Sequence, residues 1–163
     1  MDEREGQFDE AVEAAYAQAL KLLVRREHSR RELARKLVER DHPRPAADAA
    51  LDRLEAEGAQ SDQRFAEEYA RARFAKGYGP RRVEAELREH GIGPEGMAHA
   101  ALERGEERSL AAAQLAKRFG DAPPADARER AKRTRYLQQR GFDPEVCARL
   151  LRDAGNPEEE AGF

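Results

Sequence analysis

The stretch Arg64–Ile92, RFAEEYARARFAKGYGPRRVEAELREHGI, decides the fold. Phe65 and Tyr69 stand four apart before a break at Lys76-Gly77-Tyr78-Gly79-Pro80, and Val83 and Leu87 stand four apart after it. That spacing places each pair on one helical face, so the stretch reads as two amphipathic helices joined by a tight turn. Pro80 suits the first turn of the second helix, where its missing N–H would have had no partner. Both segments carry more arginine than solubility requires.

The same pattern recurs along the chain. Leu37, Leu87 and Leu137 are spaced by 50 residues, as are Gly91-Ile92 and Gly141-Phe142, and Pro94 and Pro144. Upstream, Phe65 and Leu115 correspond, as do Tyr69 and Phe119. The first copy reads Arg40-Asp41-His42-Pro43 where the later copies have a glycine turn. We therefore expect an all-α protein, an elongated, curved array of three tandem three-helix repeats at 13–57, 62–104 and 107–154. A unit of this size buries little alone, and stacked copies share their boundaries. Ser29-Arg30-Arg31-Glu32 and Asp126-Ala127-Arg128-Glu129 have the form of capping boxes, and Asp62 is placed to cap a helix beginning near Gln63. Gly58, Gly77, Gly91, Gly105, Gly120, Gly141 and Gly155 mark expected stops. In the third copy Arg133 falls where Leu33 and Val83 supply apolar side chains. That helix must be either rotated or wetter than its counterparts.

Composition agrees with helices. Of 163 residues, 39% are charged and 39% hydrophobic, tryptophan is absent, and Ala, Arg, Glu and Leu dominate. No uninterrupted apolar stretch approaches the roughly 18 residues of a membrane span. The acidic N-terminus MDEREGQFDE has the wrong sign for a signal peptide. The expectation is a soluble, cytoplasmic protein without a membrane partner. The single cysteine excludes an internal disulfide, and Cys147 within PEVCARLL reads as a buried thiol.

The formal net charge of -3 conceals segregation. Residues 1–15 set one arginine against six acids, and residues 153–163 carry four acids, leaving 16–152 at +6. Residues 1–15 and 155–163 are expected to be acidic tails, the first disordered. The second helix of each repeat is the basic one, with nets of +4 over 25–40, +3 over 71–90 and +5 over 128–140. Pairing with glutamates one turn away explains part of this excess. The remainder suits phosphates or an acidic protein surface. Arg25, Arg30, Arg31, Arg35, Arg71, Arg73, Lys76, Arg81, Arg82, Arg88, Arg128, Arg133 and Arg135 are the candidate contacts. Tyr78, between two glycines and beside arginines, is a further candidate for stacking.

Nothing in the pattern points to catalysis or to a cofactor. The four histidines lack metal-ligand spacing, Glu67, Glu68, Glu84 and Glu86 are surface acids beside arginines, and Ser29 reads as a helix cap. Charge and periodicity leave three readings open: a protein–protein and protein–DNA modulator, an autonomous DNA-binding helical protein, or a helical-repeat scaffold for another protein.

Motifs separate them. His28-Ser29-Arg30-Arg31-Glu32-Leu33 resembles the opening of the RecX family, regulators of the bacterial recombinase RecA. Gly58, Asp62, Arg64-Phe65-Ala66 and Tyr69 are similar to its central signature. Lys76-Gly77-Tyr78-Gly79-Pro80-Arg81-Arg82-Val83, Glu86-Leu87 and Gly91-Ile92 continue that signature without a gap. Leu137, Arg140-Gly141-Phe142 resembles the end of its third repeat. The resemblance implies a non-enzymatic modulator, mainly an inhibitor, that binds the RecA–single-stranded-DNA filament in its groove or at its end. It implies damped ATP hydrolysis, strand exchange and co-protease activity, with direct contact to single-stranded DNA varying among members. A monomer suits such a groove best.

Overall fold

The structure, a computed structural model, describes residues 2–153, which are helical apart from their connections. The helices are α1 (Glu3–Arg25), α2 (Arg30–Glu39), α3 (Arg44–Ala56), α4 (Asp62–Ala75), α5 (Pro80–Glu89), α6 (Pro94–Ala100), α7 (Arg104–Phe119), α8 (Ala127–Arg140) and α9 (Pro144–Asp153).

In place of the expected disordered tail, helix begins at Glu3. Glu3 and Glu5 in the first turn favour this start, because carboxylates there face the positive end of the helix dipole. Further along, Ala15, Ala19 and Leu22 recur on one buried face, so tertiary packing extends the helix backward through the acidic segment. The expected tail at 155–163 lies outside the described residues.

Helix starts follow local chemistry. The Ser29 hydroxyl accepts from the Glu32 N–H at 3.1 Å, and the Asp126 carboxylate accepts from the Glu129 N–H at 2.8 Å. Pro80, Pro94 and Pro144 each occupy the first helical position. Asp62 is not the cap of α4: the Ser61 hydroxyl accepts from the Arg64 N–H at 3.2 Å instead. The Asp62 carboxylate accepts from the Arg30 N–H at 2.8 Å and so ties α4 to the start of α2. Gly105 does not stop a helix but lies within the first turn of α7.

The described residues form two compact units, one of 2–69 with 87–100, the other of 70–86 with 101–153. In the first, α3 packs against α1 and α2. Its core joins Ala15, Ala19 and Leu22 of α1 to Leu33 and Leu37 of α2 and Leu51 and Leu54 of α3. Each fully buried leucine removes enough apolar surface from water to contribute about 1.5–3 kcal/mol. Phe65, Tyr69 and His90 form a ring cluster in the same unit, with centroids 5.0 to 5.6 Å apart.

The second unit is centred on Ala111, Leu137, Phe142 and Cys147, with Leu110, Leu115, Tyr136, Val146 and Leu150 packed around them. Burial pushes the Cys147 thiol up to about 11, so it stays protonated as a small apolar group. Arg133 resolves the mismatch at its apolar slot by polar means. It is 8% exposed, donates to the Ala122 carbonyl at 2.8 Å and pairs with Glu129 at 3.3 Å.

Candidate partner-binding surface

The three basic helices differ in how their charge is spent. On α2, Arg30 is half-buried and bonds Asp52 at 2.7 Å and Glu55 at 2.9 Å, both on α3. Arg35 pairs with Glu39 at 3.7 Å. Arg31 is exposed, yet its side chain lies where a Cβ on Gly91 would come within 2.9 Å of it. Arg25, the last residue of α1, is exposed and has no ion pair among the described residues.

Behind α2 lies a buried polar network that the sequence reading missed. Glu32, 8% exposed, bonds Arg26 through both carboxylate oxygens and meets Lys36 at 3.5 Å. Burial alone would raise its pKa, but the Arg26 hydrogen bonds and the charges of Arg26 and Lys36 overcome this and hold it at about 2. His28 Nδ1 is 3.0 Å from the Arg26 carbonyl, which can only accept, so Nδ1 carries the proton. Nε2 therefore accepts from Lys36 Nζ at 3.0 Å, and the ring is neutral. Burial lowers the His28 pKa accordingly. The only sequence signal was an acid at the third position of a capping box, and its carboxylate turns to Arg26 rather than back to the cap.

Around the turn after α4, most candidates serve the fold of the second unit. Arg73 grips Glu86 with two hydrogen bonds of 2.9 and 2.7 Å, and Arg82 meets the same carboxylate at 3.3 Å. Arg73, Arg82 and Arg140 place their guanidinium carbons 3.9, 4.3 and 4.3 Å from the centre of the Tyr78 ring. Tyr78 is thus a half-buried hub for three cations, each attracted to the ring's quadrupole. Arg81 pairs with Asp143 at 2.9 Å. That carboxylate is held below its usual range first by the Glu145 N–H and then by Arg81. Arg71 and Lys76 are exposed and carry no ion pair among the described residues; Arg88 is exposed.

Arg140, absent from the sequence-based candidates, closes this turn. Its guanidinium donates to the Gly77 carbonyl at 3.0 Å and the Lys76 carbonyl at 2.6 Å. Backbone joins the same two segments: the Gly79 N–H donates to the Arg140 carbonyl at 2.7 Å and the Arg81 N–H to the Gly141 carbonyl at 2.9 Å. A Cβ on Gly141 would stand 2.4 Å from the Arg82 Cβ. Gly91 against Arg31 repeats this seat in the first unit. Asp41 holds the equivalent position in the first repeat with φ 66, the one non-glycine residue at positive φ among those described. It is exposed, so its side chain has no preceding helix to strike.

Helix α8 is different. Arg128 and Arg135 are exposed and form no ion pair among the described residues, and so does Lys132 between them. Of its carboxylates, Asp126 caps the helix and Glu129 is taken by Arg133. Arg133 itself is buried and does not belong to the surface.

No group of three or more His, Cys, Asp or Glu among the described residues could hold a metal, and no helix there is long and apolar enough to cross a membrane. Three family models match the chain in order: "RecX, first three-helix domain" at 15–54, "RecX, second three-helix domain" at 61–100 and "RecX, third three-helix domain" at 106–151. The expected three tandem three-helix repeats are therefore present. Regulatory protein RecX of Xanthomonas oryzae pv. oryzae is 47% identical over 126 residues, covering 77% of this chain and 79% of that protein. Its namesake in Halorhodospira halophila is 40% identical over 154 residues, covering 93% and 94%. A crystal structure of regulatory protein RecX aligns with TM-score 0.77 at 23% identity, over 94% of this chain and 78% of that one. A crystal structure of RecX from Lactobacillus salivarius aligns with TM-score 0.77 at 19% identity, over 90% and 98%; at such identities both speak to the fold.

Proposed function

This chain belongs to the RecX family, and from that membership we propose that it modulates, mainly by inhibition, the bacterial recombinase RecA. The observation that carries the reading is the match of all three family domains, in order, across residues 15–151. The protein binds the RecA–single-stranded-DNA filament in its groove or at its end, as a monomer in the cytoplasm. It damps ATP hydrolysis, strand exchange and co-protease activity without an active site of its own. Three repeats, bounded near 13–57, 62–104 and 107–154, offer successive surfaces to a partner that is itself a repeating polymer.

The single-stranded-DNA-dependent ATPase of the cognate recombinase, titrated with this protein from about one copy per hundred recombinase monomers, tests the proposal. A groove or end ligand acts over many protomers, so a steep fall well below equimolar is expected. No change at equimolar protein and low salt would sink the regulator. Inhibition that needs stoichiometric protein and vanishes in excess DNA would reduce the mechanism to competition for DNA.

A further inference from the structure

Of the three basic helices, α2 and α5 have most of their charge answered within the fold, whereas α8 does not. Arg128, Lys132 and Arg135 stand four and three residues apart, which sets them on one helical face. The buried Arg133 and Leu137 lie on the opposite face, so the cationic stripe points into solvent. It runs about 10 Å along the helix at 1.5 Å per residue. Arg128, Lys132 and Arg135 also line an open cleft of about 770 Å³, whose carboxylates Asp126 and Glu129 are taken by the helix cap and by Arg133. Arg118, exposed at the end of α7, and Lys132 both approach the Phe119 ring, the guanidinium carbon 5.4 Å and Nζ 5.9 Å from its centre. The Phe119 ring is already occupied by these cations, by Arg133 and by Tyr136, so it is not offered for base stacking. Exposed Asp121 is the one nearby carboxylate left without a capping or pairing role.

We infer that the exposed face of α8 in the third repeat is a direct nucleic-acid site, where Arg128, Lys132 and Arg135 bind the phosphodiester backbone of a single DNA strand. The basic helices of the first two repeats serve the fold and the protein partner. This deepens the regulator proposed above and rests on it for the choice of strand. Charge complementarity is the argument. Neutralising a condensed polyanion releases counterions, a gain open only to cations that are not already paired with carboxylates. Arg35, Arg44 and Arg53 are equally exposed on the first unit, but each has a carboxylate one turn away. The aligned stripe with no free aromatic face predicts reading of phosphates without sequence preference.

Fluorescence anisotropy with a labelled oligo(dT) of about 20 nucleotides, followed over a salt series with the full chain, tests this. The triple variant R128Q/K132Q/R135Q removes three phosphate contacts and should flatten the slope of log K against log salt by about 2, at about 0.7 per contact on single strands. The matched variant R35Q/R44Q/R53Q removes the same charge from paired positions and should leave the slope unchanged. Equal flattening in both would mean a general charge effect and overturn the assignment. So would an unchanged slope in the first variant, absent binding by the wild type at low salt, or tighter binding to duplex of the same length. Circular dichroism of both variants confirms that they fold. The recombinase ATPase titration is run in parallel. Wild-type protein that binds oligo(dT) through α8 but leaves the ATPase untouched would sink the regulator and keep the α8 site; inhibition without the slope change would do the reverse.

Discussion

Replacing Gly79 by alanine should break the joint between the turn at residues 76–80 and the turn at 140–142, although it adds a single methyl group. The new Cβ would lie 2.4 Å from the Gly141 carbonyl carbon, 2.5 Å from its oxygen and 2.6 Å from the Phe142 nitrogen. All three are backbone atoms, so no side chain can rotate aside, and the two segments must separate by about an ångström to reach ordinary contact. Overpacking of this kind costs about 1–3 kcal/mol. Separation also stretches the Gly79-to-Arg140 and Arg81-to-Gly141 backbone bonds beyond use, each worth about 0.5–1.5 kcal/mol net. Against this, alanine restricts the unfolded chain, a gain of about 0.4–1 kcal/mol. The net loss is about 2–5 kcal/mol. Gly105→Ala is the control: nothing lies within 4 Å of its added Cβ, and in a helix alanine should gain about 0.5–1 kcal/mol. Urea unfolding followed by circular dichroism gives the free energies, and hydrogen exchange at Gly79 and Arg81 locates the damage. A Gly79→Ala protein within about 0.5 kcal/mol of wild type, or one that keeps both amides protected, would refute the reasoning.

Two further outcomes follow from the polar interior. His28 is held neutral with a lowered pKa, so its contribution is present above its ordinary value of 6.5 and falls away as pH drops below it. Glu32, lowered from 4.5 to about 2, contributes above 4.5 and loses that contribution as pH falls toward 2. Urea midpoints measured from pH 8 to pH 3 should therefore fall in two stages. His28→Gln should remove the first stage and Glu32→Gln the second, and a flat wild-type profile would contradict both. Arg133→Gln removes a buried guanidinium together with its bonds to the Ala122 carbonyl and the Glu129 carboxylate and should cost about 1–3 kcal/mol, whereas exposed Arg128→Gln should stay within about 0.5 kcal/mol. Thermal melts of the two variants decide, since equal melting temperatures would mean that Arg133 is not fixed by its contacts.

Much of the fold was readable because its signals are local. Ser29 and Asp126 cap as their neighbours suggest, and prolines open α5, α6 and α9 as their geometry allows. Failures came where distant packing decides. The acidic start of α1 is helical because Ala15, Ala19 and Leu22 lie further along the same helix. Ser61 rather than Asp62 caps α4 because the Asp62 carboxylate is claimed by Arg30 from 32 residues away. The candidate surface was the least legible part. An arginine on a helix looks the same in sequence whether it meets a carboxylate across the core, as Arg73 meets Glu86, or faces water, as Arg128 does. The first repeat's missing glycine has a simple reading in the structure: Gly91 and Gly141 are small because a preceding helix lies against them, and Asp41 has no such neighbour.

The compact units and the sequence repeats are out of phase. Two boundaries between units fall inside α4 and α5, at 69/70 and 86/87, within the second three-helix domain matched at 61–100, and only the third, at 100/101, falls at that domain's end. The cassette that the gene duplicates is therefore not the cassette that folds. The first and second repeats each bring a seat, at Arg31 and Arg82, for a glycine, Gly91 and Gly141, that belongs to the repeat after it. Excising a repeat at its sequence limits would strand one half of such a joint.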